Sequence, residues 1–485
     1  MLTTSWKPDK KSKIPVYKQI ISFIREKIAR GEWPVGTKIP SQRSLTERFE
    51  VNRSTVTYAL EELIADGILE GNCRSGTKVV NNTWNMLSHT ASPDWNFYIK
   101  AGMQRPNLTL IQKINQTEFE PDIIRLGTGE LSPQLLSNDE IKQILNALQG
   151  KMHSFCSQEP KGLLFLRQQL SIYLQKFGID VSPSSILIVS GALQALHLLS
   201  IGLLLKNSTV YLEKPSYLNS LNVFQSLRIK LQGLPLDDQG LKVEAVQSIN
   251  CEDQGSLLYT VPTFHNPTGA VMSNDRRKEL LSICQSKRLP IVEDDAYSEL
   301  WFDERPPLPL KAFDKNGLVL YMGSTSKVLG SGLRIGWVVG PEPVINRLAD
   351  IKMQTDYGSS SIAQWVIAEA LASGFYAGHL EQLRDQLRER KNMTMHCLNE
   401  FYSDLATWHI PKGGFYVWLR LNAPIETNLL FNSALNEGIL INPGSLYYPN
   451  TNCYIRISFS YAAPSELYEG LYRLSCILKN LNGRL

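Results

Sequence analysis

Two architectures are predicted in this one chain, a small and mainly helical head followed by a large three-layer α/β body. Three observations predict them. In residues 13–80 apolar side chains recur at helical spacing in three successive stretches. Beyond residue 120, buried strand-like runs alternate with helical ones, the pattern of a mostly parallel sheet with helices on both faces. The 485 residues also exceed what one hydrophobic core organises.

The first helix is predicted over Val16 to Ala29, where Val16, Ile20, Ile21, Phe23, Ile24 and Ile28 share one side and charges the other; Gly31 and Pro34 end it. The second starts at Pro40-Ser41, with Ser41 placed to cap free amides and Leu45 and Phe49 one turn apart on the buried side. After the turn Glu50-Val51-Asn52, a third helix runs through Arg53 to Asp66, with Val56, Leu60, Leu63 and Ile64 expected inward. Its first turn shows Arg53, Ser54, Thr55 and Thr57 to solvent, a group suited to phosphates and base edges in a major groove. Gly67 closes it, and Ile68 to Val80 reads as two short strands around Arg74-Ser75-Gly76, a wing. Residues 81–116 read as a linker of turn chemistry, with Trp84, Trp95, Phe97 and Tyr98 predicting at least partial docking on the body.

The strands of the body are predicted at Ile186–Val189, Thr209–Leu212, Ser256–Val261, Pro290–Glu293, Val319–Met322 and Ile335–Val339. Sites in such sheets lie at strand ends, so the residues after each run carry the reading. After the first comes Ser190-Gly191-Ala192, a small-residue turn opening a helix whose free amides suit a phosphate. Tyr217 follows the second and can lie flat on a ring. Asn266, after the third, can donate to a ring oxygen. The fourth ends in Glu293-Asp294-Asp295-Ala296-Tyr297, a carboxylate for a protonated ring nitrogen and a phenol for the oxygen. After the fifth, Lys327 stands among small hydroxylated residues, with Ser324 before it and Arg334 after it. A lysine so placed suits pyridoxal phosphate held as a Schiff base, with Ser324 and Arg334 completing the phosphate cup. Taken singly, these groups read equally well as turns, helix caps or solvated lysines. Their order and type together assemble one cofactor site.

Composition narrows the function classes. Residues 1–80 hold 14 Lys and Arg against 9 Asp and Glu, a balance of +5, so the other 405 residues carry −1 of the total +4. A basic head on a neutral body suits nucleic acid. The longest apolar stretch, Ala195 to Leu205, contains His197 and Ser200 and is shorter than the roughly 20 residues that cross a bilayer. No membrane span is expected, and the N-terminus lacks the apolar core of a secretory signal, so a cytoplasmic protein is expected. The 7 cysteines show no metal spacing, which predicts reduced thiols and no metal site.

The head resembles the GntR family of winged helix-turn-helix regulators through Pro15-Val-Tyr-Lys-Gln-Ile20, Pro40-Ser-Gln-Arg43, Val51-Asn-Arg-Ser-Thr-Val56, Glu62-Leu-Ile-Ala-Asp-Gly67 and Ser75-Gly-Thr-Lys-Val79. That resemblance implies operator contact by Ser41, Arg43, Arg53, Ser54, Thr55 and Thr57, and backbone or minor-groove contact by Arg74 and Gly76. The body resembles the fold-type I, class I aminotransferases, which bind pyridoxal 5'-phosphate. There Lys327 is the Schiff-base lysine, Asp294 pairs with the pyridinium nitrogen, and Tyr297 and Asn266 bind the phenolic oxygen. Ser190, Gly191, Ala192, Ser324 and Arg334 bind phosphate, and Arg456, in Tyr454-Ile-Arg-Ile-Ser-Phe459, clamps a substrate or effector carboxylate.

A GntR head on this body is similar to the MocR subfamily, domain boundaries falling at 13–80, 81–116 and 117–485. It implies a head-to-tail homodimer on double-stranded operator DNA in the bacterial cytoplasm, on the nucleoid when bound. Its effector would be a small amine, an amino acid, or the cofactor itself. The alternative is an active aminotransferase with an accessory DNA-binding domain. One departure is Ser157, standing where a tyrosine that reaches the phosphate across the dimer is expected.

Overall fold

The structure, a computed structural model, describes residues 6–72, 76–81, 93, 95–102, 106–136, 138–148, 158–224, 228–249 and 255–482. The expectations placed on Arg74 and Ser157 lie outside the described residues. The chain divides into two compact units, residues 1–103 and 104–485.

In the head, helices α1 (Val16–Ala29), α2 (Gln42–Phe49) and α3 (Arg53–Ala65) precede an antiparallel pair, β1 (Leu69–Asn72) and β2 (Gly76–Val79). Ser41 caps α2, its side-chain oxygen accepting from the Ser44 amide at 3.2 Å. Ile20, Ile24, Leu45, Phe49, Val56, Leu60, Leu63 and Val79 form one core. Ile64, expected inward, is instead 39% exposed, and Ala59 is buried in its place. On α3 the buried row runs through positions 56, 59, 60 and 63, and the residue after Leu63 is rotated about 100° away from it. The stretch expected as a non-periodic linker contains helical turns at Trp95–Ala101 and Thr109–Thr117; Trp95, Phe97 and Tyr98 are exposed.

The body is organised by an eight-stranded sheet. Its strands are β3 (Ile186–Val189), β4 (Thr209–Lys214), β5 (Lys230–Asp237), β6 (Gly240–Leu241), β7 (Leu257–Thr260), β8 (Ile291–Asp294), β9 (Val319–Ser324) and β10 (Gly336–Val339). They lie in the order β3-β10-β9-β8-β7-β4-β5-β6. Strands β9, β8, β7, β4 and β5 pair in parallel, while β10 runs antiparallel to both β9 and β3. Thus β3, β4, β7, β8 and β9 end at the same edge.

Alternation along β3 places Ile186 and Ile188 in one core cluster and Leu187 and Val189 in another, so the sheet is buried on both faces. A smaller antiparallel sheet carries Tyr416–Leu421 beside Tyr454–Ser458, with Trp418 opposite Arg456. Among the described residues no helix is long and apolar enough to cross a membrane, and no group of His, Cys, Asp and Glu has the makings of a metal site.

Candidate cofactor and DNA sites

At the shared strand edge a cavity of about 590 Å³ collects most of the residues singled out in the body, though neither Ser190 nor Gly191 is in its lining. Lys327, Asp294, Asn266, Tyr297, Tyr217, Ala192, Ser324, Arg334 and Arg456 all line it. A larger cleft of about 1160 Å³, bordered by Gln239, Lys278, Arg305 and Lys412, contains none of them, so size alone does not locate the chemistry.

Asp294 is the last residue of β8, and Lys327 follows the end of β9 by one tight turn. The Lys327 ammonium donates to the Gly129 carbonyl at 2.6 Å and lies 5.6 Å from the Tyr297 ring centre. Oδ2 of Asp294 accepts from the Tyr259 hydroxyl at 2.7 Å. Burial raises the Asp294 pKa, while the Tyr259 bond, the Ala296 amide and the Lys327 charge oppose that rise. Tyr297 meets the hydroxyl of Tyr416 at 3.0 Å. Burial pushes the Tyr217 phenol up to about 12, so it is neutral at ordinary pH.

At one end of the site the turn after β3 meets Arg334. Gly191 has φ 87° and is the N-cap of the helix Ala192–Gly202, whose first amides have no partner within the helix. A Cβ at Gly191 would lie 2.6 Å from Nη2 of Arg334, so only glycine lets the guanidinium close on this turn. That same Nη2 donates to the Ser190 carbonyl at 3.1 Å. Ser324 and Ser326 share a hydrogen bond at 3.0 Å. Ser190 is committed to its neighbours: its amide donates to Gln194 at 2.7 Å, and its hydroxyl faces Ser359 at 3.0 Å and Asp356 at 3.4 Å.

Arg456 is 3% exposed. Nη1 donates to Oδ1 of Asn266 at 2.9 Å and Nη2 to the Gly127 carbonyl at 2.7 Å. Its guanidinium lies 4.1 Å from the Tyr416 ring centre and 4.6 Å from that of Tyr447. Its Nε is buried with no partner among the described residues.

In the head, Ser41, Arg43, Arg53 and Ser54 are exposed and Thr55 and Thr57 half-buried. Thr57 is tied to Gln42 of α2 at 3.3 Å, which links the start of α3 to α2. Gly76 begins β2 with φ 83°, a backbone angle that favours glycine in the wing.

Sequence reasoning missed Tyr259, Ser326, Tyr416 and Asn442. Ser326 was signalled by the Ser-Thr-Ser-Lys spacing. Tyr259 sits inside a strand that read only as buried.

The arrangement defines a helix-turn-helix DNA-binding head joined to an aminotransferase-fold body. Two families match it: aminotransferase class I and II over residues 121–474, and bacterial regulatory proteins of the gntR family over residues 16–79. The chain is 53% identical to the HTH-type transcriptional regulator YdfD of Bacillus subtilis over 98% of each chain. It is 32% identical to the regulator NorG of Staphylococcus aureus, covering 92% of this chain and 100% of that one. Among solved structures, the kynurenine aminotransferase of Pyrococcus horikoshii superposes with TM-score 0.75 at 30% identity, over 81% of this chain and 99% of that one. A multiple-substrate aminotransferase from Thermococcus profundus also reaches 0.75 at 27% identity, over 81% and 100%. The chain belongs to the family of HTH-type transcriptional regulators that join a GntR head to an aminotransferase class I/II domain.

Proposed function

We propose that this protein is a pyridoxal phosphate-dependent transcriptional regulator of MocR type, binding operator DNA through its head and sensing an amine, an amino acid or the cofactor itself through its body. The observation that carries this reading is the coexistence, in one chain, of the exposed Arg53 and Ser54 at the start of α3 and the Lys327–Asp294–Arg334 constellation around one cavity. The proposed bounds are 13–80 for the head, 81–116 for the joint and 117–485 for the body. The working form is a head-to-tail homodimer in the cytoplasm.

The residues present fit the cofactor. A primary amine, a carboxylate and a phosphate cradle stand in one cavity, and the Gly191 turn is open only because it lacks a Cβ. When bound, pyridoxal phosphate supplies an electrophilic carbonyl carbon that exchanges one amine for another. Lys327 would hold that carbon, and without the cofactor its side chain is held by the Gly129 carbonyl. Asp294, whose ionised form the Tyr259 bond favours against burial, would face the ring nitrogen, and Asn266 and Tyr297 the ring oxygen. Gly191, Ala192, Ser324, Ser326 and Arg334 would hold the phosphate. Ser190 would add its hydroxyl only by releasing Asp356 and Ser359. Arg456, desolvated and stacked on two phenols, would take an effector carboxylate. Coupling between such a site and DNA is usually about 1–3 kcal/mol, about a five- to hundredfold change in affinity.

The test is an absorbance titration of the purified protein with pyridoxal phosphate and a panel of amines and amino acids, while affinity for its own upstream DNA is followed. The reading holds where the cofactor band shifts with a compound, DNA affinity shifts with it, and Lys327→Ala abolishes both. A response of DNA affinity to the cofactor alone makes vitamin B6 the signal. Sustained multiple-turnover transamination without any change in DNA affinity would replace the regulator by the enzyme reading.

A further inference from the structure

The charged residues of the cavity wall leave a remainder once the cofactor and a carboxylate are assigned. Among the described residues that wall carries Lys327, Arg334 and Arg456 against Asp294, Glu118 and Glu130. The reading above, on which this inference rests, uses all three cations and Asp294. Glu118 is left inside and Glu130 at the exposed rim.

Glu118 is held in place. Its Oε1 accepts from the Thr128 hydroxyl at 2.6 Å, which uses only one of its two carboxylate oxygens. Thr128 is 4% exposed and stands between Gly127, whose carbonyl takes Arg456, and Gly129, whose carbonyl takes Lys327. The carboxylate is thereby tied to the segment whose neighbouring carbonyls take Arg456 and Lys327. It also lies near enough to Tyr447, which stacks on Arg456, to act on that phenol electrostatically.

Two further observations point to a ligand of mixed charge. Nε of Arg456 and Oδ1 of Asn442 are buried atoms of this wall without a hydrogen-bond partner among the described residues, one a donor and one an acceptor. The same wall carries the apolar side chains of Ile111, Ile114 and Leu446. Apolar side chains and a carboxylate in one cavity suit a methylene chain ending in an ammonium.

We propose that the effector is a diamino acid, an α-amino acid with a flexible side chain ending in a second amine, and that Glu118 is the residue that selects it. The α-carboxylate meets Arg456, the α-amine reaches the Lys327 position, and the distal ammonium meets Glu118. An uncharged side chain of the same length would leave that contact unmade.

The experiment titrates the cofactor-loaded full chain with L-lysine, L-ornithine and L-norleucine, reading the absorbance shift and, independently, the heat of binding. Norleucine matches lysine in chain length but ends in a methyl group. Wild type is expected to hold lysine or ornithine at least about tenfold tighter than norleucine, the effect of one charge-assisted hydrogen bond. In Glu118→Gln that ratio should fall toward one. Equal affinities in wild type overturn the proposal with no variant needed. So does a Glu118→Gln protein that weakens binding of all three compounds by the same factor and leaves the ratio unchanged, for Glu118 would then act only through Arg456. A chain that binds cofactor yet responds to none of the three, while answering other amines, overturns this inference alone. A chain that shows no cofactor band overturns the reading beneath it.

Discussion

The Tyr259 phenol donates to Oδ2 of Asp294 over 2.7 Å, so the carboxylate at the end of β8 is held by a side chain from the neighbouring strand β7. Burial works against ionisation of Asp294, and this bond works for it. In Tyr259→Phe the carboxyl rises further toward the neutral form and its charge no longer secures a protonated ring nitrogen. Affinity for pyridoxal phosphate should fall by about tenfold or more, as expected for loss of a hydrogen bond to a charged group. Equilibrium dialysis measures it; an unchanged affinity would mean that Asp294 does not face the ring.

Gly191 and Arg334 make the phosphate end equally testable. Gly191→Ala places a methyl group 2.6 Å from Nη2 of Arg334 at a φ of 87° and ψ of 165°, a region essentially confined to glycine, where an L side chain is strained by about 1–3 kcal/mol. The guanidinium must retreat from the turn. Pyridoxal phosphate affinity should drop about tenfold, while pyridoxal, which lacks the phosphate, should lose little. Equal losses for the two would show that the substitution damages the whole site.

The difference between what was legible in the sequence and what was not has physical causes. Ile186–Val189 and Ile291–Asp294 could be read because strands buried on both faces are continuous apolar runs. Lys230–Asp237 was not, since Gly233 and Pro235 are poor strand residues and its burial is only partial. Ile64 was misplaced because apolar identity alone does not say which side of a helix a residue takes. In the site, groups in loops just after strands announced themselves by type and order. Tyr259 and the carbonyls of Gly127 and Gly129 did not, for a buried tyrosine reads as core and every residue has a carbonyl.

The buried carboxyls predict how the cofactor-free body responds to pH. Burial pushes Glu213 up to about 7, and its Oε2 is buried without a partner among the described residues, as suits a protonated acid. Burial and the neighbouring Asp295 raise Glu293 as well. In the unfolded chain such groups titrate near about 4.3. The folded state therefore binds more protons between these values, and its stability is full below the lower one and lost as pH rises through the higher. The melting temperature should fall between about pH 5 and pH 8, on the order of 2–4 °C for each kcal/mol lost. Glu213→Gln should flatten that slope. A melting temperature that rises over this interval would contradict the protonated state of these groups.

Arg53 is the remaining lever, because it separates positioning on DNA from reading of bases. It opens α3, is exposed, and the first turn of that helix contains no acidic residue, so its charge adds to the positive end of the helix. Such a group is suited to a phosphate, and a phosphate contact contributes affinity without sequence preference. Arg53→Ala should weaken binding to the operator and to unrelated DNA by similar factors, and lower the slope of log affinity against log salt by about one. Fluorescence anisotropy at several salt concentrations gives both quantities. Should operator binding fall while binding to unrelated DNA and the salt slope stay constant, Arg53 reads a base edge, and the phosphate contact passes to another residue such as Arg43, whose side chain is 90% exposed on α2.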